Sequence, residues 1–75
     1  MDVVLNQEFL GEEEEADLVE WLVADGATVA EGDAIAQLET SKLVADFLAP
    51  AAGVLSHKAE AGDVVNLGDV IAEIA

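Results

Sequence analysis

Lys42 and Lys58 are the only cations in a chain of 75 residues that carries 17 carboxylates. Lys42 stands in the stretch QLETSKLVADFLAP (37–50), between two apolar, strand-like runs. A connection as short as TSK between two strands is a tight hairpin. A lysine on such a turn stays in water and is not expected to be an activated base. It is instead well placed to be grasped by another enzyme. The rest of the chain offers little chemistry. It has no Cys, hence no thiol nucleophile, thiolate metal site or disulfide framework. His57 has no Cys or Ser partner for a zinc site or a triad, and is expected on the surface of a strand. The run Glu12–Glu15 lacks the alternating ligands and central glycine of a calcium loop. The segment GATVAEG (26–32) lacks the Gly-Lys-Ser/Thr ending of a phosphate loop. With no nucleophile–base pair and only scattered carboxylates, the chain reads as non-catalytic.

The elements that display Lys42 come from an internal repeat. GATVAEGDAIAQLE (26–39) aligns without gaps on GDVVNLGDVIAEIA (62–75) at an offset of 36, with six identities in fourteen positions. Gly26, Val29, Gly32, Asp33, Ile35 and Ala36 match Gly62, Val65, Gly68, Asp69, Ile71 and Ala72. The pattern extends back more weakly, pairing LVEWLV (18–23) with VLSHKA (54–59). Each half reads as strand, turn, short segment, Gly-Asp turn and closing strand. The closing strands AIAQLE and VIAEI place Ile35 and Ile71 on one face. Two copies of short strands imply a quasi-two-fold axis. The expected fold is all-β, a flattened barrel or sandwich of two four-stranded antiparallel sheets forming a single domain over 1–75. A competing helix over 12–23, with Ala16, Val19, Leu22 and Val23 as its stripe, is disfavoured because the matching segment 54–59 has no such stripe.

Composition agrees with thin, closely packed sheets. The chain is 53% apolar, mostly Ala, Val and Leu, with Phe9, Trp21 and Phe47 as its aromatics. That leaves no cleft-sized core for a substrate. Its apolar content sets it apart from charged disordered chains. A net charge of −15 repels nucleic acid and anionic membranes and attracts basic protein surfaces, chiefly at low salt. No apolar run approaches the length of a membrane span, and the acidic start MDVVLNQEF is not a basic leader. The expectation is a monomeric cytoplasmic domain.

The stretch VEWLVADGATVAEGDAIAQLETSK (19–42), with APAAGVL (49–55) and GDVVNLGDVIAEI (62–74), resembles the lipoyl domain of dihydrolipoyl acyltransferases. Those enzymes serve 2-oxo acid and acetoin dehydrogenase complexes. The resemblance runs from Glu8 to Ala75. It implies the same flattened barrel of two four-stranded sheets and a covalent lipoic acid on Lys42, held through an amide. Glu39, Thr40 and Ser41 would form the hairpin motif read by the modifying enzyme. Gly26 and Gly53 would support the hairpin. Glu12, Glu13, Glu14 and Glu15 would lie near it and help choose the partner. The implied partners are a lipoate ligase, or an octanoyl transferase followed by lipoyl synthase. Further partners are a thiamin-diphosphate decarboxylase, an acyltransferase core and a flavin dihydrolipoyl dehydrogenase. The arm would extend on the order of 14 Å from the backbone and act as a tethered carrier of acyl groups and electrons. This chain departs from the family pattern at three places. Ser41 replaces the usual Asp before the lysine, Leu43 replaces the usual Ala after it, and GEEEEAD (11–17) replaces a glycine-rich loop.

Two other carriers and one binding module share features with this pattern. A biotinyl carrier normally flanks its lysine with methionines, whereas the only Met here is Met1. The glycine-cleavage carrier is longer, with added helices. Unmodified barrels of efflux adaptors generally lack the lysine motif and sit in longer chains with coiled coils.

Overall fold

The computed structural model describes Met1–Ala75. Turn chemistry sets the framework. Four turns, at 24–27, 30–33, 60–63 and 66–69, each close with an N–H···O bond of 2.9–3.0 Å from the fourth residue to the first. Each holds a glycine in third place, Gly26, Gly32, Gly62 or Gly68, with φ between 86 and 97°. A positive φ there is the type II arrangement, which suits glycine. Asp33, Asp63 and Asp69 each turn a carboxylate back onto the N–H of the first residue, at 2.8–2.9 Å.

Between the turns run eight strands and one helical turn. In chain order these are β1 (Asp2–Val4), α1 (Gln7–Leu10), β2 (Glu15–Trp21), β3 (Thr28–Val29), β4 (Ala34–Glu39), β5 (Val44–Leu48), β6 (Gly53–His57), β7 (Val64–Asn66) and β8 (Val70–Ile74). They form two four-stranded sheets in the orders β5-β4-β2-β7 and β1-β8-β6-β3. Every pairing is antiparallel. The 36-residue offset carries β2 onto β6, β3 onto β7 and β4 onto β8, so one sheet maps onto the other. Each sheet takes its last edge strand from the opposite half. The expected all-β architecture is therefore present, with one refinement: the sheets face each other as an open sandwich and do not close into a barrel.

The helix considered over 12–23 does not form. β2 occupies that stretch, with Ala16 and Leu18 turned inward and Asp17 and Val19 exposed. The only helix is the single turn α1, capped by Asn6, whose side chain accepts from Phe9 N at 2.8 Å. It is far too short to cross a membrane, and no helix of the chain is long and apolar enough to do so.

The core is 16 buried residues, all apolar. Its largest fully enclosed side chains are Val3, Leu5, Leu18, Ile35, Leu38, Leu55 and Ile71. Each such side chain contributes roughly 1.5–3 kcal/mol on burial. Ile35 and Ile71, equivalent in the repeat, both have no exposed surface. At the other repeat-related pair, Trp21 and His57 stack with ring centroids 3.9 Å apart and planes 9° apart. His57 is thus half-buried at the end of its strand, more enclosed than a surface position. Its ring Nε2 lies 3.0 Å from Val23 O, and its backbone N–H donates to Asp25 Oδ1 at 2.9 Å. Trp21 Nε1 donates to Ala59 O at 3.1 Å.

A clamped hairpin that displays a lysine

β4 and β5 pair from Ala34↔Leu48 to Glu39↔Val44, leaving Thr40, Ser41, Lys42 and Leu43 to close the hairpin. Thr40 is the clamp. Its backbone N–H donates to Leu43 O at 2.8 Å. Its hydroxyl oxygen accepts from the N–H groups of Lys42 and Leu43 at 3.3 and 3.2 Å, and its O–H lies 3.3 Å from Leu43 O. Polar hydroxyls that satisfy turn amides in this way hold a short loop in one shape. Below the turn, Phe47 of β5 is buried and sits 5.2 Å, centroid to centroid, from Phe9 of α1. The arm is rigid at its root and polar at its tip.

Lys42 stands at that tip, with its side chain 68% exposed. Its one charged neighbour is Glu12, with Nζ and Oε2 3.5 Å apart. The adjacent Ser41 hydroxyl donates to Glu13. The acidic run is therefore brought to the hairpin, through Glu12 and Glu13. Glu14 instead anchors the run behind, its carbonyl accepting from Leu67 N at 2.8 Å. Glu15 begins β2 opposite Asn66.

Glu39 sits in the last pair of β4, exposed, with Asp17 opposite it on β2 and Val44 opposite it on β5. Glu13, Glu15, Asp17 and Glu39, with Thr40 and Ser41, line an open acidic cleft of about 320 Å³ at the foot of the hairpin. No cation lines it. Asp17 and Val64, which also line the cleft, were not among the residues singled out from sequence. The β2–β4 register that brings Asp17 to Glu39 is the signal that locates it.

Gly26 and Gly53 lie elsewhere. Gly26 N–H donates to Leu55 O at 2.6 Å, and Gly53 pairs with Val29. A Cβ on Gly53 would overlap Ala75 O and lie 2.6 Å from Ile74 Cγ2. None of these partners belongs to the hairpin. Gly26 meets β6, and Gly53 meets β3, Ile74 and Ala75.

Chemically the site is a primary amine on a stiff, exposed arm. A carboxylic acid joined to it through an amide would fit without displacing any packed side chain, because the Lys42 side chain stands largely in solvent. No nucleophile–base pair stands beside it. Fold and site together give a symmetric sandwich that displays one exposed lysine at the tip of a hairpin.

Residues 9–74 match the family model described as biotin-requiring enzyme, which groups biotinyl and lipoyl domains. The chain belongs to this biotin/lipoyl family. Among solved structures it is similar to the lipoyl domain of the 2-oxoglutarate dehydrogenase complex from Azotobacter vinelandii. That likeness has a TM-score of 0.69 and 26% identity, covering 84% of this chain and 81% of that one. It is 39% identical over 61 residues to the dihydrolipoyllysine-residue succinyltransferase component of the 2-oxoglutarate dehydrogenase complex of Staphylococcus saprophyticus. It is 34% identical to the acetyltransferase component of the pyruvate dehydrogenase complex of Staphylococcus aureus. Each match covers 80% of this chain and 14% of the relative, so the chain spans about one seventh of those enzymes. It is also 36% identical to the biotinylated protein TB7.3 homolog of Mycobacterium leprae, covering 80% of this chain and 86% of that protein.

Proposed function

We propose that this domain is a lipoyl carrier, with lipoic acid joined to Lys42 Nζ by an amide. The observation that carries the reading is the exposed Lys42 at the tip of a hairpin clamped by Thr40. The acyltransferase relatives and the lipoyl-domain likeness favour lipoate as the acid. So does the absence of methionine beside the lysine, where Ser41 and Leu43 stand. When attached, a lipoyl group supplies a dithiolane that accepts an acyl group and two electrons. The chain's own part is mechanical and electrostatic. Thr40 holds the turn, Glu39 and Ser41 flank the amine for the modifying enzyme, and β4 and β5 keep the attachment point clear of the sandwich. The domain itself catalyses nothing in this reading. It would carry its load between a thiamin-diphosphate decarboxylase, an acyltransferase core and a flavin dihydrolipoyl dehydrogenase. A lipoate ligase, or an octanoyl transferase with lipoyl synthase, would load it. Glu12–Glu15 would help select the decarboxylase.

One observation favours a second reading. The Mycobacterium leprae relative is a biotinylated protein that matches along most of its own length. Incubating the domain with a lipoate ligase and, separately, with a biotin ligase distinguishes the two. Lipoyl loading at Lys42 without biotinyl loading supports the proposal; the reverse result moves the domain to the biotinyl carriers.

A further inference from the structure

The acidic run meets the hairpin through two side-chain contacts of different kinds. Ser41 donates a neutral hydroxyl to Glu13, whereas Lys42 offers Glu12 a full positive charge. The Lys42–Glu12 contact is the one ion pair in the molecule. Around it, Glu12, Glu13, Glu14 and Glu15 repel one another at close range, and Lys42 is the cation that offsets this. The backbone of the run is lightly tied. Glu13 N–H donates to Leu10 O at 3.1 Å, and the next anchor is the bond from Leu67 to Glu14.

We infer that the Lys42–Glu12 pair is a latch that reports whether Lys42 has been loaded. It holds the acidic run against the hairpin while the lysine is free and releases it once Nζ becomes an amide nitrogen. This rests on the reading of Lys42 as the attachment point and holds for either acid. In loading, the neutral amine attacks the carbonyl carbon of an activated acyl group, an acyl-adenylate or a thioester. A C–N bond forms. The C–O or C–S bond to the leaving group breaks, its electron pair leaving with the phosphate or thiolate, and the amine proton passes to solvent. The product nitrogen carries no charge. Glu12 loses its counter-ion, the repulsion within the run remains, and the domain becomes one charge more negative than −15. Ser41–Glu13 is untouched, so the run keeps its neutral tie and loses its charged one. An exposed ion pair shifts such an equilibrium modestly, by about two- to five-fold in population. The enzyme that loads Lys42 and the enzymes that use the loaded arm therefore meet different populations of the same acidic surface.

The test is amide exchange and backbone relaxation over Gly11–Glu14 in four ¹⁵N-labelled forms: unloaded, loaded, Lys42→Arg and Lys42→Gln. The expected result is Glu13 amide exchange two- to five-fold faster in the loaded domain and in Lys42→Gln, with Lys42→Arg resembling the unloaded domain. High salt should loosen the unloaded domain and leave the loaded one little changed. Equal rates in all four forms overturn the latch. So does a Lys42→Arg domain as loose as Lys42→Gln, since charge would then not be the tie. Loosening in Lys42→Gln, together with a wild-type domain that no ligase loads at Lys42, overturns the attachment reading and the release step with it. That separates failure of the attachment reading from failure of the latch.

Discussion

Thr40 decides how Lys42 is presented. Its hydroxyl satisfies two turn amides at once, so removing it frees the tip and spares the core. Thr40→Val should cost about 1 kcal/mol or less, the scale of an exposed hydrogen bond. Amide exchange at Lys42 and Leu43 should rise while the unfolding midpoint moves little. Lys42 itself touches little besides Glu12, so Lys42→Ala should change stability by no more than about 0.5 kcal/mol. Denaturant unfolding checks this; a loss of several kcal/mol would make the lysine a structural residue. The position of Lys42 was legible because a polar tripeptide between two apolar runs has few other ways to fold. The role of Thr40 was not, since which amides a hydroxyl reaches depends on the turn's backbone. Nor was His57: its stack on Trp21 joins equivalent positions of two repeats, and the weak alignment of 18–23 with 54–59 gave no hint that they touch.

The repeat is where sequence and fold agree best, and its turns explain why. Gly32-Asp33 and Gly68-Asp69 mark the same turn twice, with φ of 89 and 91° at the glycines. An offset fixed by such turns also fixes which strands correspond. Short elements escaped this logic. α1 is one turn held by Asn6 and Gly11, too brief to show helical periodicity, and β3 is two residues long. Gly26 and Gly53, expected to support the hairpin, make their direct contacts in the second sheet and with Ala75. Their substitutions should differ. Gly53→Ala forces a Cβ against the backbone of Ala75 and should cost about 2–3 kcal/mol. Gly26→Ala meets open space and carries only the strain of φ 86°, about 1–2 kcal/mol. Urea midpoints of the two variants give the comparison. Equal losses would mean that the Ala75 approach relaxes freely.

At the scale of the molecule, a small sandwich with an apolar core carries a strongly negative shell, with its acidic cleft at the foot of the hairpin that displays Lys42. Such a field speeds encounter with a basic partner and fades with ionic strength. Replacing Glu12–Glu15 with Gln should slow reductive acylation of the loaded domain several-fold at low salt, and much less at high salt. A rate unchanged at low salt would reduce the run to a solvated surface. Lipoyl carriage at Lys42 is tested by the intact mass of the domain from cells supplied with lipoate, wild type beside Lys42→Ala. A lipoyl or octanoyl increment is expected on the wild type and none on the variant. An unmodified wild type, from cells whose ligase loads a control lipoyl domain, would contradict it; so would an increment that persists in Lys42→Ala.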